Sequence, residues 1–121
     1  MIGRGSSSAS ATEMTREFCC LRWRDTPARV AQVAFIHGQR PTVEEAMDEI
    51  ATQDCSLVVI QPHLLFSGLL MDQLTEQVAQ RQLQNPHQKW VITGSLGADS
   101  LLAELMARRT LEAVNRRQSS T

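Results

Sequence analysis

The stretch Leu57-Val58-Val59-Ile60-Gln61-Pro62-His63-Leu64-Leu65-Phe66-Ser67-Gly68 constrains this chain most, because an apolar run stops at proline and gives way to an apolar loop closed by glycine. Such a run reads as a strand buried on both faces. Pro62 has no N–H for a sheet ladder, so the chain leaves the sheet at the carboxyl end of that strand. Open α/β sheets hold their ligands outside the carboxyl ends of their strands. The loop from Pro62 to Gly68 is therefore the first place to look for chemistry.

Around it, four strand candidates alternate with four helical stretches. Met1 and Ile2 read as the end of a first strand, truncated against the roughly five residues usual for one. The loop Gly3-Arg4-Gly5-Ser6-Ser7-Ser8 follows, then a helix over about 10–24. A second strand is expected over 29–36. Pro41 and Thr42 open the next helix, with Thr42 and Glu45 spaced as a capping box. The third strand covers 56–60, and Leu70, Leu74 and Val78 repeat on one face of a helix over 70–83. Asn85-Pro86 ends that helix. A last strand over 90–93 turns through Gly94-Ser95-Leu96-Gly97 into a helix over 99–115. Strict alternation with short loops predicts a doubly wound α/β domain over residues 1–115, with a four-stranded parallel sheet, right-handed crossovers and helices on both faces. A polar C-terminal tail, 116–121, follows.

The net charge of −1 and the lack of a basic stripe interleaved with aromatics argue against a nucleic-acid partner. The longest apolar runs fall far short of the roughly 20 residues that span a bilayer, and the start of the chain lacks the pattern of a secretory signal. The protein is thus expected in the cytoplasm, away from membranes. Three cysteines, Cys19, Cys20 and Cys55, are an odd count without Cys-x-x-Cys spacing, which fits neither a disulfide framework nor a zinc cluster.

The segment after the third strand resembles the Pro-x-Phe-Leu-x-x-Gly-x-His motif of the small class II tetrapyrrole chelatases, the sirohydrochlorin cobaltochelatase (CbiX) and ferrochelatase family. Pro62, Leu65 and Gly68 are in register, and Leu70 stands at the position of the family's metal-binding histidine. Gly3-Arg4-Gly5-Ser6-Ser7 is similar to the family's opening Gly-His-Gly-Ser loop, with Arg4 in place of histidine. Val33-Ala34-Phe35-Ile36-His37, then Pro41 and Glu44-Glu45-Ala46, resemble the family's Ala-Phe-Leu-Glu strand end and the helix after it, with His37 at the glutamate position. Leu96-Gly97 and the stretch 102–113 match a Leu-Gly turn and an Arg-containing final helix.

The resemblance covers roughly residues 1–113. It implies a chelatase of cobalamin or sirohaem biosynthesis, a lyase that inserts cobalt or ferrous iron into sirohydrochlorin. The divalent ion would be a substrate, with no permanently bound cofactor. The substitution pattern is similar to the non-catalytic C-terminal half of long CbiX enzymes, which join two such halves in one chain, while short forms associate as homodimers. The implied partners are a carboxylate-rich tetrapyrrole and a second copy or second chelatase half.

Metal insertion needs imidazole or carboxylate ligands and a nearby base. His37 and His63 are the only residues at predicted strand ends able to serve, His37 as ligand or base and His63 as auxiliary ligand. If the strand order is 2-1-3-4, their strands flank the first one and lie about 10 Å apart, two interstrand spacings. Structural roles, with His63 packed in its loop or donating to a backbone carbonyl and His37 capping its strand in solvent, are the commoner case for such residues. Arg4, Ser6 and Ser7 lie in a glycine-rich loop before a helix N-terminus, a place that favours anions such as the macrocycle's carboxylates, or that is a bare turn. His63, Phe66 and Gly68 belong to the loop that could face the macrocycle, while apolar residues there serve equally as core. His87 enters the last strand from the opposite end of the sheet. A different reading is a non-catalytic partner subunit that completes the cleft of a histidine-bearing half, since leucine cannot ligate and arginine stays protonated. A flavodoxin-like module is kept open only by Ser6, Ser7 and Ser8.

Overall fold

Two backbone hydrogen bonds at one residue join the sheet. In the computed structural model, which describes residues 1–119, the N–H of Ile2 donates to the carbonyl of Gln61 at 2.8 Å and the carbonyl of Ile2 accepts from the N–H of His63 at 2.7 Å. They bridge Ile2 to Pro62 in parallel. On its other side the first strand, β1 (Ile2–Gly3), pairs in parallel with β2 (Ala34–Phe35). The third strand, β3 (Leu57–Ile60), pairs in parallel with β4 (Lys89–Ile92), in the register Val58 to Trp90 and Ile60 to Ile92. The result is a four-stranded parallel sheet in the order β2-β1-β3-β4, as expected for a doubly wound domain.

The helices are α1 (Ala9–Arg24), α2 (Val43–Ala51), α3 (Leu69–Gln84) and α4 (Ser100–Ser119). Thr42 caps α2, its hydroxyl accepting from the N–H of Glu45 at 3.2 Å, and Ser8 caps α1 through the N–H of Ala11. The helices α2 and α3 cover one face of the sheet. There Met47, Val43, Leu74 and Val78 close over Ile2, Ala34, Val58, Ile60 and Trp90. On the other face α1 lays Cys19 over Met1, Val33 and Phe35. No described helix is long and apolar enough to cross a membrane.

Buried polar groups are concentrated where β4 meets α3. Gln88 is 2% exposed, and its amide donates to the carbonyl of Gln53 and accepts from the indole N–H of Trp90. The Gln82 amide accepts from the backbone N–H of Trp90 at 2.8 Å and donates to the carbonyl of Gln88 at 2.7 Å. These partners remove most of the cost of burying an amide.

Three expectations are corrected. The second strand is Ala34–Phe35 rather than 29–36. A ladder is only as long as its neighbour, and β1 offers partners to this strand from Met1 to Arg4, whose carbonyls receive the N–H groups of Ala34, Ile36 and His37. The third strand is not buried on both faces. Val58 and Ile60 are buried, but Leu57 and Val59 are 54% and 51% exposed, because no helix lies over them. The last helix runs past residue 115 to Ser119, so most of the expected polar tail is helical, while residues 120–121 of that tail lie outside the described residues.

Met47 is among the largest fully buried side chains and joins α2 to the sheet. Met47→Ala should lower the unfolding free energy by about 2–5 kcal/mol, read as a shifted urea midpoint at unchanged m-value.

Candidate functional site

The loops after β1, β2 and β3, at the carboxyl ends of those strands, carry Arg4, Ser6, Ser7, His37, His63, Phe66 and Gly68. The loops after β1 and β2 are locked together. The N–H of His37 donates to the carbonyl of Arg4 at 3.0 Å, and the Gln39 amide donates to the carbonyl of Ser6 at 2.9 Å. Gly5 adopts φ +94°, and a Cβ there would sit 1.8 Å from the carbonyl oxygen of His37. Only glycine fits a left-handed backbone in so close an approach. The structure thus brings Arg4, Ser6 and His37 to one place, with the side chains of Arg4 and His37 exposed. The Ser6 hydroxyl is engaged in its own turn, accepting from the N–H of Ser8 at 3.0 Å, and Ser7 is exposed. The Arg40–Pro41 peptide is cis. Arg40 turns from the loop to Glu45 in α2, at 2.9 Å, and its hydrogen bond holds the Glu45 carboxyl below the usual carboxylate range.

Between the N-terminal turns of α2 and α3 lies a cavity of about 250 Å³, lined by Ile36, Thr42, Glu44, Leu70, Gln73 and Gln77 among others. It opens on the α2–α3 face at the end of the sheet where open α/β folds bind ligands. Glu44 supplies the carboxylate, while Gln73 and Gln77, one turn apart, supply amides. None of the three was read as a site residue in the sequence, although Glu44 lies in the stretch that carries the resemblance and Gln73 and Gln77 follow Leu70 and Leu74 with the helical period.

His63 is not among the residues lining this cavity. Its ring stacks on Phe18 of α1, with centroids 4.8 Å apart and planes 20° apart, on the opposite face of the sheet. Phe66 is 66% exposed in the same loop, and Gly68 begins α3 with open space where a Cβ would stand. That loop is tied to the one after β4. Leu96 N–H donates to the Leu64 carbonyl at 2.8 Å, and Gly97 N–H donates to the Leu65 carbonyl at 2.6 Å. His87 is exposed, two residues before β4, at the far end of the sheet. Among the described residues, no group of three or more His, Cys, Asp or Glu side chains is arranged to hold a metal ion.

Residues 1–113 match the CbiX family over nearly the whole chain. The chain belongs to that family, the small class II tetrapyrrole chelatases. This CbiX-family chain is 25% identical over 114 residues to the sirohydrochlorin cobaltochelatase of Priestia megaterium, covering 94% of this chain and 37% of that protein. It is 28% identical over 87 residues to the sirohydrochlorin ferrochelatase of Bacillus subtilis (strain 168), covering 72% of this chain and 33% of that protein. The chain therefore spans about a third of the length of these curated relatives. Among solved structures, SirB from Bacillus subtilis with Fe3+ superposes with a TM-score of 0.84 at 23% identity, over 98% of this chain and 46% of that one. A CbiX protein from Marinobacter aquaeolei VT8 superposes with a TM-score of 0.74 at 15% identity, over 95% of this chain and 94% of that one. At such identities these two likenesses show the fold.

Leu70 lines the cavity with an apolar side chain. His37 follows Ile36, which lines the same cavity.

Gly5→Ala should cost at least about 1–3 kcal/mol from backbone strain alone and displace the His37 loop. Urea unfolding would read the first effect and the amide chemical shifts of residues 37–39 the second.

Proposed function

We propose that this chain is a CbiX-type chelatase half that binds a carboxylate-rich tetrapyrrole at the carboxyl ends of its strands and acts in insertion of cobalt or ferrous iron into sirohydrochlorin. The observation that carries this reading is the cavity between α2 and α3, which holds Leu70 and Glu44 beside the strand end bearing His37. The chemistry supports it. A macrocycle needs an apolar wall, for which Leu70, Ile36 and Phe66 are suited, and its carboxylates need cations and N–H donors. Arg4 is exposed in a loop leading to the N-terminus of α1, where the helix dipole adds to its charge, and Ser7 stands beside it.

Insertion removes two pyrrole protons, and His37 is the base this reading assigns. The incoming divalent ion is a substrate, for which His37 and His63 are the imidazole donors of the strand-end loops, His63 acting from the α1 side. Glu44 adds a carboxylate at the cavity wall. The site of action is the cytoplasm.

One observation favours a second reading. Leucine at position 70 offers no donor to the cavity it lines, and Arg4 stays protonated and repels a cation. On that reading the chain is a non-catalytic tetrapyrrole-binding subunit that completes the cleft of a histidine-bearing half.

Titration with sirohydrochlorin, followed by cobalt, separates the two. The first reading expects a saturable change in the Soret region, then turnover that falls at least about 100-fold in His37→Ala. Binding without turnover would select the partner subunit, and the absence of binding would overturn both. Leu70→His should raise the cobalt affinity of the protein alone, measured calorimetrically, because the new imidazole would share the cavity with Glu44.

A further inference from the structure

Helix α1 packs over β1, and its two flanks reach the strands on either side. Cys19 is buried over Met1, Val33 and Phe35 and marks the middle of the covered stripe, and a Cβ on Gly3 of β1 would sit 2.9 Å from the Thr15 methyl. At roughly 3.6 residues per turn, residues two apart point about 200° away from each other, so Arg16 and Phe18 leave the helix on opposite sides of that stripe. Arg16 reaches the β2 side. Its guanidinium carbon lies 5.3 Å from the centroid of the fully buried Phe35 ring, and its Nη2 donates to the carbonyl of Arg40 at 3.0 Å. Phe18 reaches the β3 side, where it stacks on His63.

Each contact holds a loop that carries an imidazole. The loop after β2 starts with the His37 N–H on the Arg4 carbonyl, is tied in its middle by the Gln39 amide on the Ser6 carbonyl, and ends at Arg40. At that end the side chain of Arg40, 81% exposed, pairs with Glu45, and an ion pair so open to water contributes little. The bond from Arg16 to the Arg40 carbonyl is the stronger tie, because its donor is charged and lies fixed on an aromatic face. In the loop after β3, the Phe18 face places the ring of His63. Neither residue of α1 is itself core, since Arg16 is half-buried and Phe18 is 44% exposed.

We propose that Arg16 and Phe18 are positioning residues, which set His37 and His63 from one helix so that the two imidazoles serve a single ligand across the end of β1. Strands β2 and β3 flank β1, so their ends stand about 10 Å apart, two interstrand spacings. Two loops free to move independently would have to be ordered by the ligand itself, which weakens binding. Holding both from one helix does that ordering before the ligand arrives. This positioning rests on the reading above for the ligand that the imidazoles share, whereas the placement of the rings in the free protein is independent of it.

The test uses the full chain with its histidine rings labelled with ¹³C. His37, His63 and His87 are its three histidines, and His87, at the far end of the sheet, is the internal reference. In ¹³C relaxation, Arg16→Ala should raise the mobility of the His37 ring, leave those of His63 and His87 as they are, and be restored by Arg16→Lys, which keeps a charged donor for the Arg40 carbonyl. Phe18→Leu should mobilise the His63 ring alone. Arg40→Ala, which removes the guanidinium and keeps the carbonyl, should leave the His37 ring in place. In the Soret titration, Arg16→Ala and Phe18→Leu should each weaken sirohydrochlorin binding by about 10-fold. Residues that only support the fold would lower the urea midpoint and leave ring mobility and affinity unchanged. That result, or a His37 ring mobilised as much by Arg40→Ala as by Arg16→Ala, would overturn the positioning. Absence of sirohydrochlorin binding by the unsubstituted chain would overturn the reading of the ligand, while the mobilities in the free protein would still decide whether Arg16 and Phe18 place the imidazoles.

Discussion

Ile2 holds the two halves of this molecule together. Its N–H and carbonyl reach β3 at Gln61 and His63, while its neighbours Met1 and Gly3 reach β2. Without these bonds the sheet is two separate pairs, β1-β2 and β3-β4, each too small to carry a core. The Ile2 side chain is also in the larger core cluster, beside residues from all the strands of the sheet and from α2 and α3. One residue therefore closes both the backbone ladder and the apolar contact between halves. The position of every loop at the carboxyl ends follows from that junction.

The junction also sorts the candidate residues by face. Alternation along β3 and its extension puts Val58, Ile60 and Pro62 toward the buried side and sends His63 toward α1, where Phe18 meets it. The cavity lies across the sheet, between helices that approach from the α2–α3 side. His37 and Arg4 sit between these two regions, joined through the backbone by the glycine at position 5. A ligand that engages His63 and the cavity together must pass around the ends of the strands. A broad planar macrocycle is the kind of molecule that does so.

Element order and type were legible in the sequence, because apolar runs, capping residues and Pro or Gly at each boundary signal local structure directly. The strand order 2-1-3-4 stood in the sequence only as a condition, and it is the order found. Lengths were less legible. The second strand looked eight residues long from its composition, but its ladder depends on how much of β1 lies beside it. The apolar run 57–60 looked buried on both sides because it is apolar at every position. Yet Leu57 and Val59 are more than half exposed, because coverage of a strand depends on what packs over it and not on its own composition. Glu44, Gln73 and Gln77 gave no joint signal, since they meet only where two helices converge. The stacking of His63 on Phe18 likewise joins residues 45 positions apart.

Gln82 has a consequence of another kind. Its side-chain amide accepts from the outward N–H of Trp90 and donates to the outward carbonyl of Gln88, which is what the backbone of a fifth strand would do. One side chain thus impersonates a peptide unit and ends the sheet at β4. Growth by adding strands, the route by which parallel sheets recruit one another into fibres, meets a seat already taken at that point.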